Sequence, residues 1–160
     1  MNERYIRQTM IPEIGEAGQE KLKNAKVLIV GIGGLGSPIS LYLTAAGVGQ
    51  IGLIDDDIVS RSNLQRQILY TEAEIGQSKV ECACRRLSAL NSSTRFETYP
   101  NLFTPDNADR LVSAYDIIVD GCDNAATRYL IDDVCSRIKK PYVYGSISEF
   151  RGQVSVFNYR

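Results

Sequence analysis

The feature that most constrains this chain is the junction between Val30 and Gly31. Val27-Leu28-Ile29-Val30 is a short, continuous apolar run, and it breaks directly into Gly31-Ile32-Gly33-Gly34-Leu35-Gly36. An unbroken apolar run of strand length reads as a parallel strand buried on both faces, because a strand with one wet face would alternate. Leu35, Ile39, Leu43 and Ala46 then recur at helical spacing. Pro38 falls in the first turn of that helix, where its missing N–H does no harm, and Gly47 and Gly49 end it. A strand, a glycine loop and a helix in this order put free N–H groups and the positive end of a helix dipole beside a loop without side chains. That combination binds phosphate.

The rest of the chain repeats the alternation. Ile51–Ile54 is a second strand, closing at Asp55, and a polar loop runs from Asp56 to Gln77. Ser78 and Glu81 are spaced as a capping box for a helix with an apolar face of Val80, Ala83, Cys84, Leu87 and Leu90. A short strand is expected over Arg95–Tyr99 and a short helix over Asp106–Ser113. Further strands are expected at Ile117–Val119, Tyr142–Tyr144 and Gln153–Phe157, with a helix carrying Ile131, Val134, Cys135 and Ile138. This order gives an α/β fold: a doubly wound, Rossmann-like, mostly parallel sheet, with an antiparallel strand at the C-terminal end. Ligands are expected at the carboxyl ends of the strands. Residues 1–25 read as a polar N-terminal helical segment packed beside the sheet. Residues 26–160 read as the nucleotide-binding body, the whole being one domain.

Composition excludes several chemistries. There is no His, which removes Ser-His-Asp and Cys-His catalysis and His-containing metal sites. Cys82, Cys84, Cys122 and Cys135 form no C-x-x-C pair, so no zinc site is expected, and the four read as small, buried, reduced residues. The net charge of −1 gives no electrostatic case for nucleic acid or an anionic membrane. No apolar run is long enough to span a bilayer and no signal peptide precedes the domain, so the cytoplasm is the expected compartment.

The loop glycines Gly31, Gly33, Gly34 and Gly36 and the acid Asp55, placed to bond ribose hydroxyls, mean a nucleotide. They do not choose between a nicotinamide cofactor and ATP. Three further features favour ATP. Asn63-Leu64-Gln65-Arg66-Gln67 follows the second strand. Lys79 begins a helix, where a cation opposes the dipole unless an anion binds nearby. Asp123, in Asp120-Gly121-Cys122-Asp123-Asn124, either caps the next helix or holds Mg²⁺ on a polyphosphate. Arg66, Lys79 and Asp123 are two cations and one metal-type ligand around a glycine loop, a set that a triphosphate needs and a dinucleotide does not.

With Arg4-Tyr5-Ile6-Arg7-Gln8, the Gly31–Gly36 loop, Asp55, Asn63–Gln67, Gly76-Gln77-Ser78-Lys79 and Asp123-Asn124 in this order and spacing, the chain resembles the MoeB/ThiF family, bacterial relatives of the ubiquitin-activating enzymes. Gly152–Phe157 also matches a strand of that family. The resemblance implies ATP- and Mg²⁺-dependent adenylation of the C-terminal Gly-Gly carboxylate of a ubiquitin-like sulfur-carrier protein, with release of pyrophosphate, in molybdopterin or thiamin biosynthesis. It implies that Asp55 binds the ribose, the glycine loop the phosphate region, and Asn63, Arg66 and Lys79 the phosphates, with Gln67 as a neighbour. Asp123 would hold Mg²⁺, and Arg7 would reach the nucleotide of the other subunit in a homodimer. Such chemistry needs no His, since a carboxylate nucleophile is already ionised at neutral pH.

Chains of this family run on past the Phe157 strand, so 160 residues are expected to be the N-terminal, nucleotide-binding part of a longer enzyme. Two other classes compete: an NAD(P)-dependent oxidoreductase resting on the glycine loop and Asp55, and a catalytically silent nucleotide-binding scaffold. Adenylation of a carboxylate on transfer RNA would use the same machinery, but the charge and the Arg4–Gln8 motif favour a protein carrier.

Overall fold

In the computed structural model, which describes residues 3–159, six strands form one sheet. They are β1 (Lys26–Val30), β2 (Gln50–Ile54), β3 (Arg95–Tyr99), β4 (Ile117–Asp120), β5 (Tyr142–Ser148) and β6 (Arg151–Phe157). The helices are α1 (Ile6–Thr9), α2 (Gly15–Asn24), α3 (Gly36–Ala46), α4 (Lys79–Leu90), α5 (Pro105–Ala114) and α6 (Ala125–Ile138). The outer limits expected at residues 1 and 160 lie outside the described residues. No helix among the described residues is long and apolar enough to cross a membrane.

Strand order is β3-β2-β1-β4-β5-β6. The β1–β2, β1–β4, β2–β3 and β4–β5 pairs are parallel, and β5–β6 is antiparallel. The fold is therefore doubly wound, as the alternation predicts. The continuous apolar strands explain it: successive residues of β1 enter different cores. Val27 and Ile29 pack with Ile51, Leu53, Val80 and Leu87 on the α3–α4 side. Leu28 and Val30 pack with Ile54, Leu111, Ile118 and Ile131 on the α5–α6 side. Burying one such side chain fully stabilises by about 1.5–3 kcal/mol, so neither face of β1 tolerates a polar residue.

Two local expectations change. Ser78 makes no side-chain cap bond, and Glu81 instead accepts from Thr98 Oγ1 at 3.1 Å, so no capping box forms there. Capping boxes form at Thr71/Glu74 and Thr104/Asn107. On α4 the inward positions are Val80, Cys82, Ala83 and Leu87; Cys84 is half-buried and Leu90 is exposed. The helical stripe is rotated toward Cys82, and Cys84 is the one cysteine of the four that is not fully buried.

The N-terminal segment docks through its polar motif. Asn91 Nδ2 donates to the buried Tyr5 Oη (2.8 Å). Gln8 and Gln19 both donate to Ala46 O at the end of α3 (3.1 and 3.0 Å). Gln8 of the Arg4–Gln8 motif thus satisfies an orphan carbonyl at a helix end, and Tyr5 docks on the Asn91 side chain.

Candidate functional site

Strand order reverses between β1 and β4, and the chain leaves their carboxyl ends in opposite directions. Such a switch point opens a crevice. The two loops are stitched together there: Gly121 N donates to Val30 O (2.9 Å) and Gly31 N to Ile54 O (2.9 Å). Gly31 has φ +86°, and a Cβ on it would sit 3.0 Å from the Cys122 backbone. A Cβ on Gly36 would lie 2.0 Å from Gly31 O, so only glycine lets α3 start directly on the loop.

A cavity of about 430 Å³ opens at this point. Its wall brings together Gly31, Gly33, Gly34, Asp55, Asn63, Arg66, Gln67, Lys79 and Asp123. Of the residues the sequence singled out, two lie off this wall. Gly36 packs beneath the loop, and Arg7 is exposed on α1.

Asp55 shapes the loop as well as facing the cavity. Its Oδ2 accepts from Ile32 N (2.7 Å) and its Oδ1 from Asp57 N (2.9 Å). Burial pushes its carboxyl above the ordinary 3.8, and the two backbone N–H groups hold it back. The same Ile32 is fixed at its carbonyl by Tyr70 Oη (2.7 Å), a phenol that burial drives well above its usual range. Loop geometry therefore depends on two side chains of which the sequence pointed to one.

Lys79 is not a surface lysine. Its side chain is 3% exposed, and Nζ donates to Asp57 Oδ2 at 2.7 Å. Asp57, in the polar loop after β2, is exposed but engaged, because a buried ammonium needs a counter-charge. Arg66 crosses above Gly34 and makes one long bond, to Ser62 O at 3.5 Å, so most of its guanidinium donors have no partner among the described residues. Gln67 is 4% exposed, and its Oε1 has no partner among the described residues. A buried acceptor left unpaired costs about 1–3 kcal/mol, and this oxygen is enclosed behind the wall.

Asp123 is exposed on the wall, and it does not cap α6. Asn124 does so, its Oδ1 accepting from Thr127 N at 2.8 Å. Asp123 is thereby spared for a ligand. One carboxylate beside the glycine loop is a donor that Mg²⁺ would accept if phosphate oxygens and water completed its shell. The acidic trio Asp55, Asp56 and Asp57 also brings carboxylate oxygens within 4.8 Å of one another, but Asp57 already holds Lys79.

Sequence reasoning missed Arg128, a third cation on the wall. Its Nη2 donates to Cys122 O (2.7 Å) and Nη1 to Tyr144 Oη (3.0 Å), and the guanidinium lies 5.1 Å from the Tyr144 ring centre. Its Nε is 3.9 Å from the buried Asp120, whose carboxyl burial pushes up. Burial beside Asp120 pushes the Cys122 thiol up to about 12, which makes it a poor nucleophile. The available signal for Arg128 was its spacing, one helical turn after the Asn124 cap. Leu102 and Phe103, just beyond β3, add an apolar wall that no motif announced.

The model of the ThiF family matches residues 5–160. The chain is 48% identical over 157 residues to a sulfur carrier protein adenylyltransferase of Thermus thermophilus, covering 98% of this chain and 58% of that protein. It is 50% identical over 154 residues to the probable adenylyltransferase/sulfurtransferase MoeZ of Mycobacterium tuberculosis, covering 96% of this chain and 39% of that one. Among solved structures, E. coli MccB crystallised with ATP superposes with a TM-score of 0.81 at 32% identity, over 91% of this chain and 45% of that one. The chain thus spans little more than half, or less, of the relatives it matches.

Proposed function

The chain belongs to the ThiF family, and from that membership and the cavity we propose that it binds ATP with Mg²⁺ and adenylates the C-terminal Gly-Gly carboxylate of a ubiquitin-like sulfur-carrier protein. The observation that carries this reading is the convergence of Arg66, Lys79 and Asp123 with the glycine loop and Asp55 on one cavity. Names of relatives support the substrate class: the Thermus thermophilus protein is a sulfur carrier protein adenylyltransferase. The MccB structure with ATP supports the nucleotide.

The chemistry follows from the groups present. Asp55 accepts from the ribose hydroxyls, with Gln67 as a neighbour. Leu102 and Phe103 offer the base an apolar surface. N–H groups of the loop and of the α3 start, with Asn63, hold phosphate oxygens. A carboxylate oxygen of the carrier attacks the α-phosphorus, a C(O)–O–P bond forms, the bond to the β-phosphate bridge breaks, and pyrophosphate leaves with the electron pair. No proton has to be removed from the nucleophile. Arg66 and Lys79 stabilise the charge that develops on the phosphates, Lys79 as a cation already held in place by Asp57. Asp123 would hold Mg²⁺, which supplies charge neutralisation on the polyphosphate. The carrier belongs to molybdopterin or thiamin biosynthesis. The working unit is a homodimer in the cytoplasm, in which Arg7 reaches the nucleotide held by the second copy.

Calorimetric titration with ATP and with NAD, each with Mg²⁺, tests the reading. ATP is expected to bind more tightly, and the Asp123→Ala, Lys79→Ala double variant to lose that binding. Tighter binding of NAD would return the chain to the oxidoreductases, and undiminished ATP binding by the double variant would remove both residues from the site.

A further inference from the structure

Lys79 is the only fully buried cation on the cavity wall among the described residues, and its position is electrostatically poor. It occupies the first turn of α4, where the dipole repels a cation, and its side chain is 3% exposed. A buried ammonium without a counter-charge is strongly destabilising. Asp57 supplies that charge at 2.7 Å, and backbone bonds set the geometry of the pair. Lys79 N donates to Asp57 O at 3.0 Å, and Val59 N donates to Gln77 O at 2.9 Å, tying the stretch after β2 to the start of α4. Asp57 N in turn donates to Asp55 Oδ1 at 2.9 Å.

We propose that Asp57 is a positioning residue for phosphate binding: it holds the Lys79 ammonium in the cavity, and it ties that cation to the ribose-facing Asp55. The inference rests on the reading of the cavity as an ATP site. An ammonium has three donors. Asp57 is the single side-chain partner of Nζ among the described residues, so two donors are left for ligand oxygens. Asp57 itself is 66% exposed and lies on the same wall. Its carboxylate adds a negative charge beside a polyanion, which on its own would weaken ATP binding. The structure makes the opposite effect dominate. Without the carboxylate, Lys79 cannot stay buried and charged at a helix start, and the cavity loses its fixed cation.

The test uses adenosine and ATP as paired probes, titrated calorimetrically with Mg²⁺ into the full chain. Adenosine carries base and ribose but no phosphate, so general damage to the site weakens both probes, whereas loss of the Lys79 charge weakens ATP alone. Asp57→Asn is expected to weaken ATP about tenfold, the scale of one charge-assisted hydrogen bond, and to change adenosine less than twofold. Asp57→Glu, which restores the charge, is expected to recover most of the ATP affinity. In a Lys79→Ala background, Asp57→Asn is expected to cause no further loss of ATP affinity, because the two residues act as one unit and only the repulsion by the carboxylate is left to remove. Equal losses for both probes, an undiminished effect in the Lys79→Ala background, or tighter ATP binding by Asp57→Asn would overturn the inference. A wild-type chain that binds ATP no better than adenosine would overturn the phosphate-site reading itself, an outcome distinct from an Asp57→Asn variant that matches wild type.

Discussion

At the scale of single residues, the cavity is built from groups that each do two things. Asp55 fixes Ile32 and Asp57 through their N–H groups while presenting its remaining lone pairs to the cavity. Its carboxyl titrates above 3.8 because burial outweighs those bonds. The sign for stability follows: the folded chain keeps this proton longer than the unfolded one, so Asp55 costs stability as pH rises from 3.8 through its raised value, and acid relieves that cost. Ligand binding has the opposite sense. Ribose hydroxyls need the ionised form, so ATP affinity is expected to fall as pH drops through the raised value, at a higher pH than an ordinary aspartate would give. Asp55→Asn should remove that pH dependence and weaken ATP by roughly 10–100-fold, the range of a hydrogen bond to a charged group; titrations across the acid range check both. Arg66, with most of its donors uncommitted, is expected to contribute to ATP and little to stability. An Arg66→Ala variant should therefore keep the wild-type melting temperature while losing affinity.

At the scale of elements, the helix starts decide where side chains end up. Asn124 caps α6 and releases Asp123. Asn124→Ala is expected to cost about 1 kcal/mol, a few degrees of melting temperature in a chain of this size, and to weaken Mg²⁺-dependent ATP binding because Asp123 is then drawn to the vacant cap. Gly36→Ala places a Cβ 2.0 Å from Gly31 O. It should lower the melting temperature and the ATP affinity together, since α3 and the loop would have to separate. Most of this level was legible in the sequence. Apolar runs such as Val27–Val30 and Ile117–Val119 permit little except buried parallel strands, and the glycine loop marks the strand-to-helix turn. What was not legible depended on rotation and competition. Cys82 faces inward in place of Cys84 because α4 settles against β3 a fraction of a turn away from the apparent stripe. Glu81 bonds Thr98 because a cross-element partner outcompeted the local cap. Lys79–Asp57 and Arg128–Tyr144 join residues 22 and 16 positions apart, and no local pattern encodes such pairs.

At the scale of the whole molecule, the N-terminal segment divides its motif between two tasks. Tyr5 and Gln8 anchor the segment to Asn91 and to the end of α3, and Arg7 is left exposed on α1, away from the cavity of its own chain. That arrangement suits an arginine serving a second copy. If Arg7 acts across a dimer, Arg7→Ala and Lys79→Ala chains are each expected to bind ATP poorly alone. Mixed after reversible dissociation, they should regain a population of competent sites, because one heterodimer site then has an intact Lys79 and receives an intact Arg7. A mixture no better than its parts would confine Arg7 to its own chain. The absence of His, which excluded familiar hydrolytic chemistry at the outset, fits a reaction whose nucleophile arrives ionised. The most direct test of that reaction is mass spectrometry of a sulfur-carrier protein ending in Gly-Gly after incubation with this chain, ATP and Mg²⁺. The account predicts a carrier heavier by one adenylyl group, with pyrophosphate released in step. A carrier of unchanged mass beside a chain saturated with ATP would contradict it.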